Sequence, residues 1–183
     1  MIANTVYTIG HSNRSLHEFI TLLQQNTVHT LVDIRTNPYS GRFPHFSQEV
    51  LHEAMDDNGI VYHWAGSQLG GRRESTNSIS HPAMWDDSRR GFAEYMETTQ
   101  FERAIVQLIN LAGTAKTTIM CAEKHPEYCH RTLISDYLTL KNVRVVHIID
   151  INQTVGHEMS RSARTESGRL VYDRYVNSQL DLL

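Results

Sequence analysis

Two short segments of the chain carry the residues best able to do chemistry. Cys121 ends an apolar run, and Cys129 opens the sequence Cys129-His130-Arg131. A thiol at the start of a helix lies at the positive end of the helix dipole, which favours the thiolate. His130 and Arg131 act in the same direction if their side chains face the sulfur. The pattern therefore indicates a nucleophilic or redox thiol at Cys129, although a small buried apolar role stays open for both cysteines.

The spacing of the cysteines excludes two familiar kinds of site. A phosphatase loop of the form Cys-x5-Arg requires arginine at position 127 or 135, where this chain has Glu127 and Ser135. Zinc ribbons and fingers use cysteines two to four residues apart, usually with a second pair. This chain has only 2 cysteines, and they are farther apart. No metal site is assigned, but a mixed site stays open that joins both cysteines to one histidine, which would be His11, His125 or His130.

The arginines form a second signal. A guanidinium binds phosphate or carboxylate through two parallel hydrogen bonds, and free amides at a helix start add to that binding. Arginines at a predicted strand end, in loops or at a helix start are Arg35, Arg42, Arg72, Arg73 and Arg131. Gly70-Gly71 precedes two of them, and paired glycines let a backbone approach a ligand closely. Each arginine taken singly is equally compatible with a solvated surface role, so the prediction of an anion site depends on the group.

Three further polar residues follow predicted strands. Asp33 suits a general base, a metal ligand or the partner that orients a neighbouring arginine or histidine. His11 and Asn13 come after a strand and a glycine, where they can donate hydrogen bonds to an oxyanion or a phosphate. A structural role at a strand end is the alternative for each of them.

Alternating strands and helices position these residues. The strands are expected at Val6–Ile9, Thr30–Ile34, Ile60–Trp64, Thr117–Met120 and Val143–Ile149. Capping boxes at Ser15–Glu18 and Thr99–Glu102 open two of the intervening helices, and another helix begins near Cys129. The alternation predicts an α/β fold with a mainly parallel, doubly wound, Rossmann-like sheet that has helices on both faces. Ligands of such sheets bind outside the carboxyl ends of the strands, where the polar clusters occur.

Length and composition indicate the domain organisation. A chain of 183 residues suits a single α/β domain spanning residues 1–183. Residues 66–90 are polar and lack any period, which is typical of a mobile loop or lid. Residues 151–183 are expected to form a C-terminal tail. The pattern does not indicate an oligomeric state.

Charge and segment composition restrict the partners and the compartment. The formal net charge is −3, so no overall positive field attracts nucleic acid or an anionic membrane. The N-terminus reads as a strand and not as a signal peptide, and no apolar run approaches the roughly 20 residues of a membrane span. With no secretion signal and few cysteines, we expect a cytoplasmic protein with reduced thiols and no membrane partner.

Several motifs resemble one known family. They are Tyr7–Asn13, Val32–Arg35, Pro44–Phe46, Leu69–Arg73, and Met120–Glu123 with Cys129–Arg131. Their order is similar to that of the mostly prokaryotic domain-of-unknown-function family number 488, over about residues 5 to 150. The resemblance implies an α/β fold and a site shared by these motif residues. It implies no substrate, reaction or cofactor.

Three functional hypotheses follow from the residues. The leading one is an enzyme that acts on an anionic, phosphate-bearing substrate such as a nucleotide or a nucleic-acid end. In it the arginines hold phosphate, while Asp33, His11 and Cys129 with His130 supply acid, base or nucleophile. The second is a thiol redox or sulfur-transfer protein that uses Cys121 and Cys129. The third is a non-enzymatic module that binds a metal, an anion or nucleic acid. The cofactor is unknown on each hypothesis.

Overall fold

The computed structural model of the chain describes residues 5–76, 79–84 and 86–174. Its main sheet contains β1 (Thr5–Gly10), β2 (Thr30–Asp33), β3 (Val61–Trp64), β4 (Thr117–Cys121), β5 (Arg144–Asp150) and β6 (Gln153–Gly156). The strand order is β3-β2-β4-β1-β5-β6. The first five strands in this order are parallel, and β6 pairs antiparallel to β5.

Six helices accompany the sheet within the described residues. They are α1 (Leu16–Gln25), α2 (Gln48–Asp57), α3 (Gly66–Leu69), α4 (Asp87–Tyr95), α5 (Thr99–Thr114) and α6 (Arg131–Leu140), with 3-10 turns at Pro44–Phe46 and Pro126–Tyr128. Ser15 and Glu18 form the predicted capping box of α1. The cap of α5 is Thr98, one residue before the predicted Thr99, because the Thr98 side chain accepts the amide of Phe101. In the part of the chain that the structure describes, no helix combines the length and apolar character that a membrane span requires.

Two apolar clusters hold the helices to the sheet. One cluster contains buried residues of α1 and α2, and the other contains buried residues of α4, α5 and α6. Along β4, Met120 belongs to the first cluster and Ile119 to the second. Successive side chains of a strand point to opposite faces, so each helix group has its own apolar layer. The prediction of an α/β fold with a mainly parallel sheet is therefore confirmed.

The finer topology differs from the sequence-based expectation. The Rossmann order is 3-2-1-4-5, whereas β4 lies here between β2 and β1. The Rossmann-like description is therefore not confirmed. β5 was expected to be the final strand, but it is followed by β6 and by a separate antiparallel pair, β7 (Ala163–Glu166) and β8 (Arg169–Tyr172). These strands are four residues long. β6 is exposed along its whole length and β7 and β8 are only partly buried, so they lack the fully buried run that marks the central strands.

Two segments that looked irregular in the sequence contain ordered elements. Residues 66–90 begin with the single turn α3 and end inside α4. Between these helices, Thr76 donates its amide to Glu94, and the Arg73 guanidinium lies 3.8 Å from the Tyr95 ring centroid. The expected tail contributes β6, β7 and β8, and residues 175–183 of it lie outside the described residues. Lid closure by residues 66–90 stays a prediction.

Candidate functional site

The carboxyl ends of β1, β2 and β4 border an open cleft of about 960 Å³. Gly10 pairs with Cys121 across β1 and β4, and Asp33 pairs with Met120 across β2 and β4. The polar residues that follow these strands therefore share one edge of the sheet, as the sequence predicted. The predicted site residues that line the cleft are His11, Asn13, Arg35, Arg42, Arg72, Cys121, Cys129 and His130.

Cys121, Cys129 and His130 form a compact cluster in the wall of this cleft. His130 Nδ1 lies 3.5 Å from the Cys129 sulfur and 3.9 Å from the Cys121 sulfur. The two sulfurs and a ring nitrogen all lie within 4.8 Å of one another. Both cysteines are free thiols and are almost fully buried. The strand end of β4 and the start of α6 thus bring together the two cysteines that are separate in the sequence.

The surroundings of the two sulfurs give them opposite protonation preferences. A hydrogen bond from Cys121 lowers the pKa of Cys129 well below its ordinary value, and the His130 and Arg131 charges add to this effect. The same hydrogen bond, together with burial, raises the pKa of Cys121. The Cys129 sulfur also accepts the Arg131 amide at 3.5 Å, at the start of α6. Cys129 is therefore the thiolate of the pair and Cys121 its hydrogen-bond donor.

His130 is held in position by the segment that follows β3. Its Nε2 lies 3.0 Å from the carbonyl oxygen of Leu69, so this nitrogen donates a hydrogen bond, and Nδ1 faces the sulfurs. A Cβ atom at Gly71 would lie 2.5 Å from the His130 ring, which shows how closely the backbone approaches it. Phe92 of α4 packs edge-on against the ring at 5.1 Å between centroids. Gly71, which lines the cleft, therefore leaves room for a side chain of the site.

Arg131 lies behind the cleft and not in its lining. Its side chain is fully buried, and its Nη2 donates to the carbonyl oxygens of Glu123 and Lys124. Its Nη1 lies 3.4 Å from the Thr8 hydroxyl. The guanidinium thus fixes the loop between Cys121 and Cys129. This arrangement favours a structural and electrostatic role over the predicted contact with an anion.

A series of buried polar contacts leads from Arg131 through β1 and β5 to Asp136. Thr8 Oγ1 lies 2.7 Å from His147 Nδ1, and His147 Nε2 lies 3.0 Å from His157 Nδ1. His157 Nε2 reaches the Asp136 carboxylate at 2.8 Å. Burial, with the nearby charges of His157 and Arg131, lowers the pKa of His147 to about 3. His147 is therefore a neutral hydrogen-bonding link.

Asp33 and Arg35 form a buried ion pair at the end of β2. Arg35 Nε and Nη2 contact the Asp33 carboxylate at 2.9 and 2.5 Å, and the Tyr62 hydroxyl donates to it at 2.8 Å. Asp33 is completely buried and does not line the cleft, whereas Arg35 does. Of the roles considered for Asp33, the geometry favours orientation of Arg35.

His11 lies between the ion pair and an aromatic layer. Its Nδ1 is 2.9 Å from the Ser12 carbonyl oxygen, its Nε2 is 3.5 Å from Arg35 Nη1, and its ring stacks on Phe46 at 4.4 Å. Burial lowers the pKa of His11 to about 4, and the Arg35 charge contributes in the same direction. A neutral His11 whose lone pair faces a guanidinium is a weak proton acceptor at neutral pH.

The remaining predicted arginines separate into two groups. Arg42 and Arg72 are exposed and line the cleft, and neither forms a salt bridge with any residue that the structure describes. Arg73 does not line it, because its guanidinium stacks on Tyr95 and donates to the carbonyls of Gly70 and Ser67. The structure therefore brings together most of the predicted site, with Asp33 and Arg131 behind its surface and Arg73 beside it.

The comparisons with known proteins identify the family. A family model described as "Domain of unknown function DUF488" matches residues 15–138, which is more than half of the chain. This chain belongs to the DUF488 family. Neither the comparison with curated proteins nor that with solved structures gave a match. The matched region contains the cysteine cluster, the Asp33–Arg35 pair and the two exposed arginines, while His11 and Asn13 precede it.

Sequence reasoning missed several residues at the site of this DUF488 chain. The missed lining residues include Thr36, Asp86, Ser88, Arg89 and Tyr128, whereas Ser12 belongs to one of the family motifs. Ser12 adopts a positive φ of 52°, which is uncommon for residues other than glycine. Tyr62 was assigned only to a strand. Its hydrogen bond to Asp33 depends on the parallel pairing of β2 with β3, which no local pattern indicates.

Proposed function

We propose that this DUF488 protein is an enzyme that binds an anionic, phosphate-bearing substrate in the cleft and uses Cys129 as its nucleophile. One observation carries the proposal: the Cys129 sulfur, at the start of α6, lines the same cleft as two exposed arginines without acidic partners among the described residues. A sulfur beside a helix start and a histidine is an activated nucleophile. Arginines that form no salt bridge within the described part of the chain are suited to hold the charge of the substrate.

The lining of the cleft supports a nucleotide or a nucleic-acid end as the substrate class. Arg42 and Arg72 supply two guanidinium groups for phosphate. Tyr39 and Tyr128 also line the cleft, with 73% and 71% of their surface exposed. Exposed aromatic rings beside cationic groups are a common arrangement for stacking nucleobases. Free phosphate has no planar group that could stack on these rings.

The proposed reaction follows the order of covalent catalysis. The Cys129 sulfur forms a bond to the electrophilic atom of the substrate, and the bond from that atom to the leaving group breaks. Water then hydrolyses the covalent intermediate and the thiolate returns. His130 and Cys121 position the sulfur, and Arg35, fixed by Asp33, faces the cleft beside His11. The scheme requires reduced thiols, in keeping with the cytoplasmic location expected from the sequence.

The test is a substrate screen with matched variants. Purified protein is assayed against phosphorylated nucleotides and short oligonucleotides, and each turned-over substrate is re-assayed with Cys129→Ser and Arg42→Ala/Arg72→Ala. We expect Cys129→Ser to lower kcat by about 10³-fold or more, and the double arginine variant to raise KM with little change in kcat. Arg103→Ala is the control, because Arg103 is exposed on α5 and does not line the cleft. Full activity of Cys129→Ser would refute the assignment.

A second candidate function is thiol redox or sulfur transfer through both cysteines. The proximity of the two sulfurs, within 4.8 Å, favours it. It predicts that mild oxidation removes two hydrogens from the mass of the protein and that Cys121→Ser abolishes activity. Under the nucleophile proposal Cys121→Ser keeps measurable turnover, so this variant separates the two candidates.

A further inference from the structure

We propose that Cys121, Cys129 and His130 also form a binding site for a zinc ion. The three side chains present two sulfurs and one imidazole nitrogen to a common point, all within 4.8 Å of one another. Thiolate and imidazole are the ligands that zinc prefers in proteins. The group contains no carboxylate, which makes it unsuited to calcium or magnesium.

The two sulfur–nitrogen distances are close to those around a tetrahedral zinc ion. Bond lengths of about 2.3 Å to sulfur and about 2.0–2.1 Å to nitrogen place sulfur and nitrogen about 3.6 Å apart in a tetrahedron. His130 Nδ1 lies 3.5 Å from the Cys129 sulfur and 3.9 Å from the Cys121 sulfur. An ion can therefore enter with shifts of a few tenths of an ångström at these two contacts.

The surroundings of His130 are those of a metal ligand. Histidines that bind metals usually donate their other ring N–H to a carbonyl or carboxylate, which fixes the tautomer and the orientation. His130 Nε2 makes such a contact with Leu69 O at 3.0 Å, and Nδ1 faces the two sulfurs. Gly71 and Phe92 restrict the ring further. The ligand is thus oriented before an ion arrives.

The structure also shows which of the three candidate histidines can be the third ligand. His11 uses both of its nitrogens elsewhere, toward Ser12 O and Arg35. The His125 side chain is about half exposed, and its Nδ1 lies 3.9 Å from Oε1 of Glu127. Among the described residues, only His130 completes a group of three such ligands with the two cysteines.

Three protein ligands leave one position of a four-coordinate ion for water or an anion. Because all three residues line the cleft, this position faces the space proposed for the substrate. A bound ion engages the Cys129 sulfur, so zinc should inhibit a reaction that uses the free thiolate. Ion binding itself does not depend on the proposed reaction.

The experiment measures binding without turnover. Reduced, metal-free protein is titrated with zinc chloride against a chromogenic chelator, and then with cobalt(II), whose absorption reports thiolate ligands and four-coordinate geometry. We expect one ion per chain and a thiolate-to-cobalt charge-transfer band. Cys121→Ser and Cys129→Ser should each abolish the band, and His130→Ala should weaken zinc binding at least tenfold. His125→Ala is the matched control and should bind like the unaltered protein.

Alkylation of the unaltered protein provides a measurement that needs no folded variant. Zinc should slow the modification of both cysteines by iodoacetamide, and a chelator should restore the rate. The proposal is overturned if the metal-free protein takes up no zinc, if the double cysteine variant binds it equally well, or if zinc leaves alkylation unchanged. Activity that survives Cys129→Ser would refute the nucleophile and leave these binding results untouched, so the two proposals fail separately.

Discussion

Asp33 and Arg35 are two residues apart in the sequence, and they form a buried ion pair beneath the cleft. Arg35 Nε lies 2.9 and 3.1 Å from the two carboxylate oxygens of Asp33, and its backbone amide lies 3.0 Å from the first of them. Arg35 Nη2 adds a contact of 2.5 Å, and the Tyr62 hydroxyl adds a fifth hydrogen bond. These contacts leave Arg35 Nη1 directed toward His11. The pair thus fixes a guanidinium at the cleft and removes Asp33 from contact with a ligand.

Replacing Asp33 should therefore cost stability as well as function. Asp33→Asn leaves the Arg35 charge buried without its partner, and breaking a buried pair typically costs about 3–5 kcal/mol. Tyr62→Phe removes one hydrogen bond to a charged group and should cost about 1.5–3 kcal/mol. Urea unfolding measures both free energies. An Asp33→Asn variant as stable as the unaltered protein would argue for an accessible catalytic carboxylate.

Arg131 should behave as a structural residue although it adjoins the catalytic candidates in sequence. Its guanidinium satisfies two loop carbonyls, so Arg131→Met should lower the free energy of unfolding by on the order of 3 kcal/mol. Arg131→Lys should recover only part of this free energy, because an ammonium reaches fewer of the acceptors. The control is Arg72→Ala, which should stay within about 0.5 kcal/mol of the unaltered protein. Equal stability of all three variants would contradict the structural role.

A methyl group at Gly71 should disturb the cysteine cluster through His130. The new Cβ would lie 2.5 Å from His130 Cγ and Nδ1, so the ring must leave its present position beside the sulfurs. We expect Gly71→Ala to slow the alkylation of Cys129 at neutral pH severalfold. Gly41→Ala is a matched control, because its added Cβ would meet only Tyr39, at 3.9 Å. Unchanged alkylation in Gly71→Ala would show that His130 does not influence the sulfur.

The sequence predicted the elements that carry strong local signals. β4 is buried along its whole length, and α1 begins at a complete capping box, so apolar pattern and side-chain chemistry both identify them. β6 is exposed and β7 is only partly buried, so neither carries such a pattern. Each is held by pairing with a partner strand. Local sequence contains the apolar patterns and capping residues that identify β4 and α1. It does not contain the pairing between strands that holds β6 and β7.

The same distinction applies to the site. Strand-end position correctly placed Cys121, Arg35 and His11 at one cleft, since parallel strands bring their carboxyl ends together. It did not distinguish a side chain that faces the cleft from one that supports it. Arg131 follows Cys129 and His130 directly, yet its guanidinium turns toward the carbonyl oxygens of the loop before Cys129. Side-chain direction depends on contacts that are distant in sequence.

Acid should destabilise the protein through histidines that are buried in the neutral form. His11 has its pKa lowered to about 4 by burial, whereas an unfolded histidine titrates near 6.5. Below pH 6.5 the unfolded chain therefore binds a proton that the folded protein refuses, so stability is complete above this pH and falls toward pH 4. His11 alone should cost about 2 kcal/mol by pH 5, and His147, with its pKa lowered to about 3, adds a loss of the same sign.

Urea unfolding at pH 7.5, 6 and 5 would measure this loss. His11→Asn should be less stable at pH 7.5, because it gives up the stacking on Phe46, yet it should lose less further stability on acidification. His52→Asn is the matched control, since His52 is 56% exposed and its replacement should leave the pH dependence intact. Equal slopes for the unaltered protein and His11→Asn would mean that His11 takes up its proton in the folded state, and that it can serve the cleft as an acid or base after all.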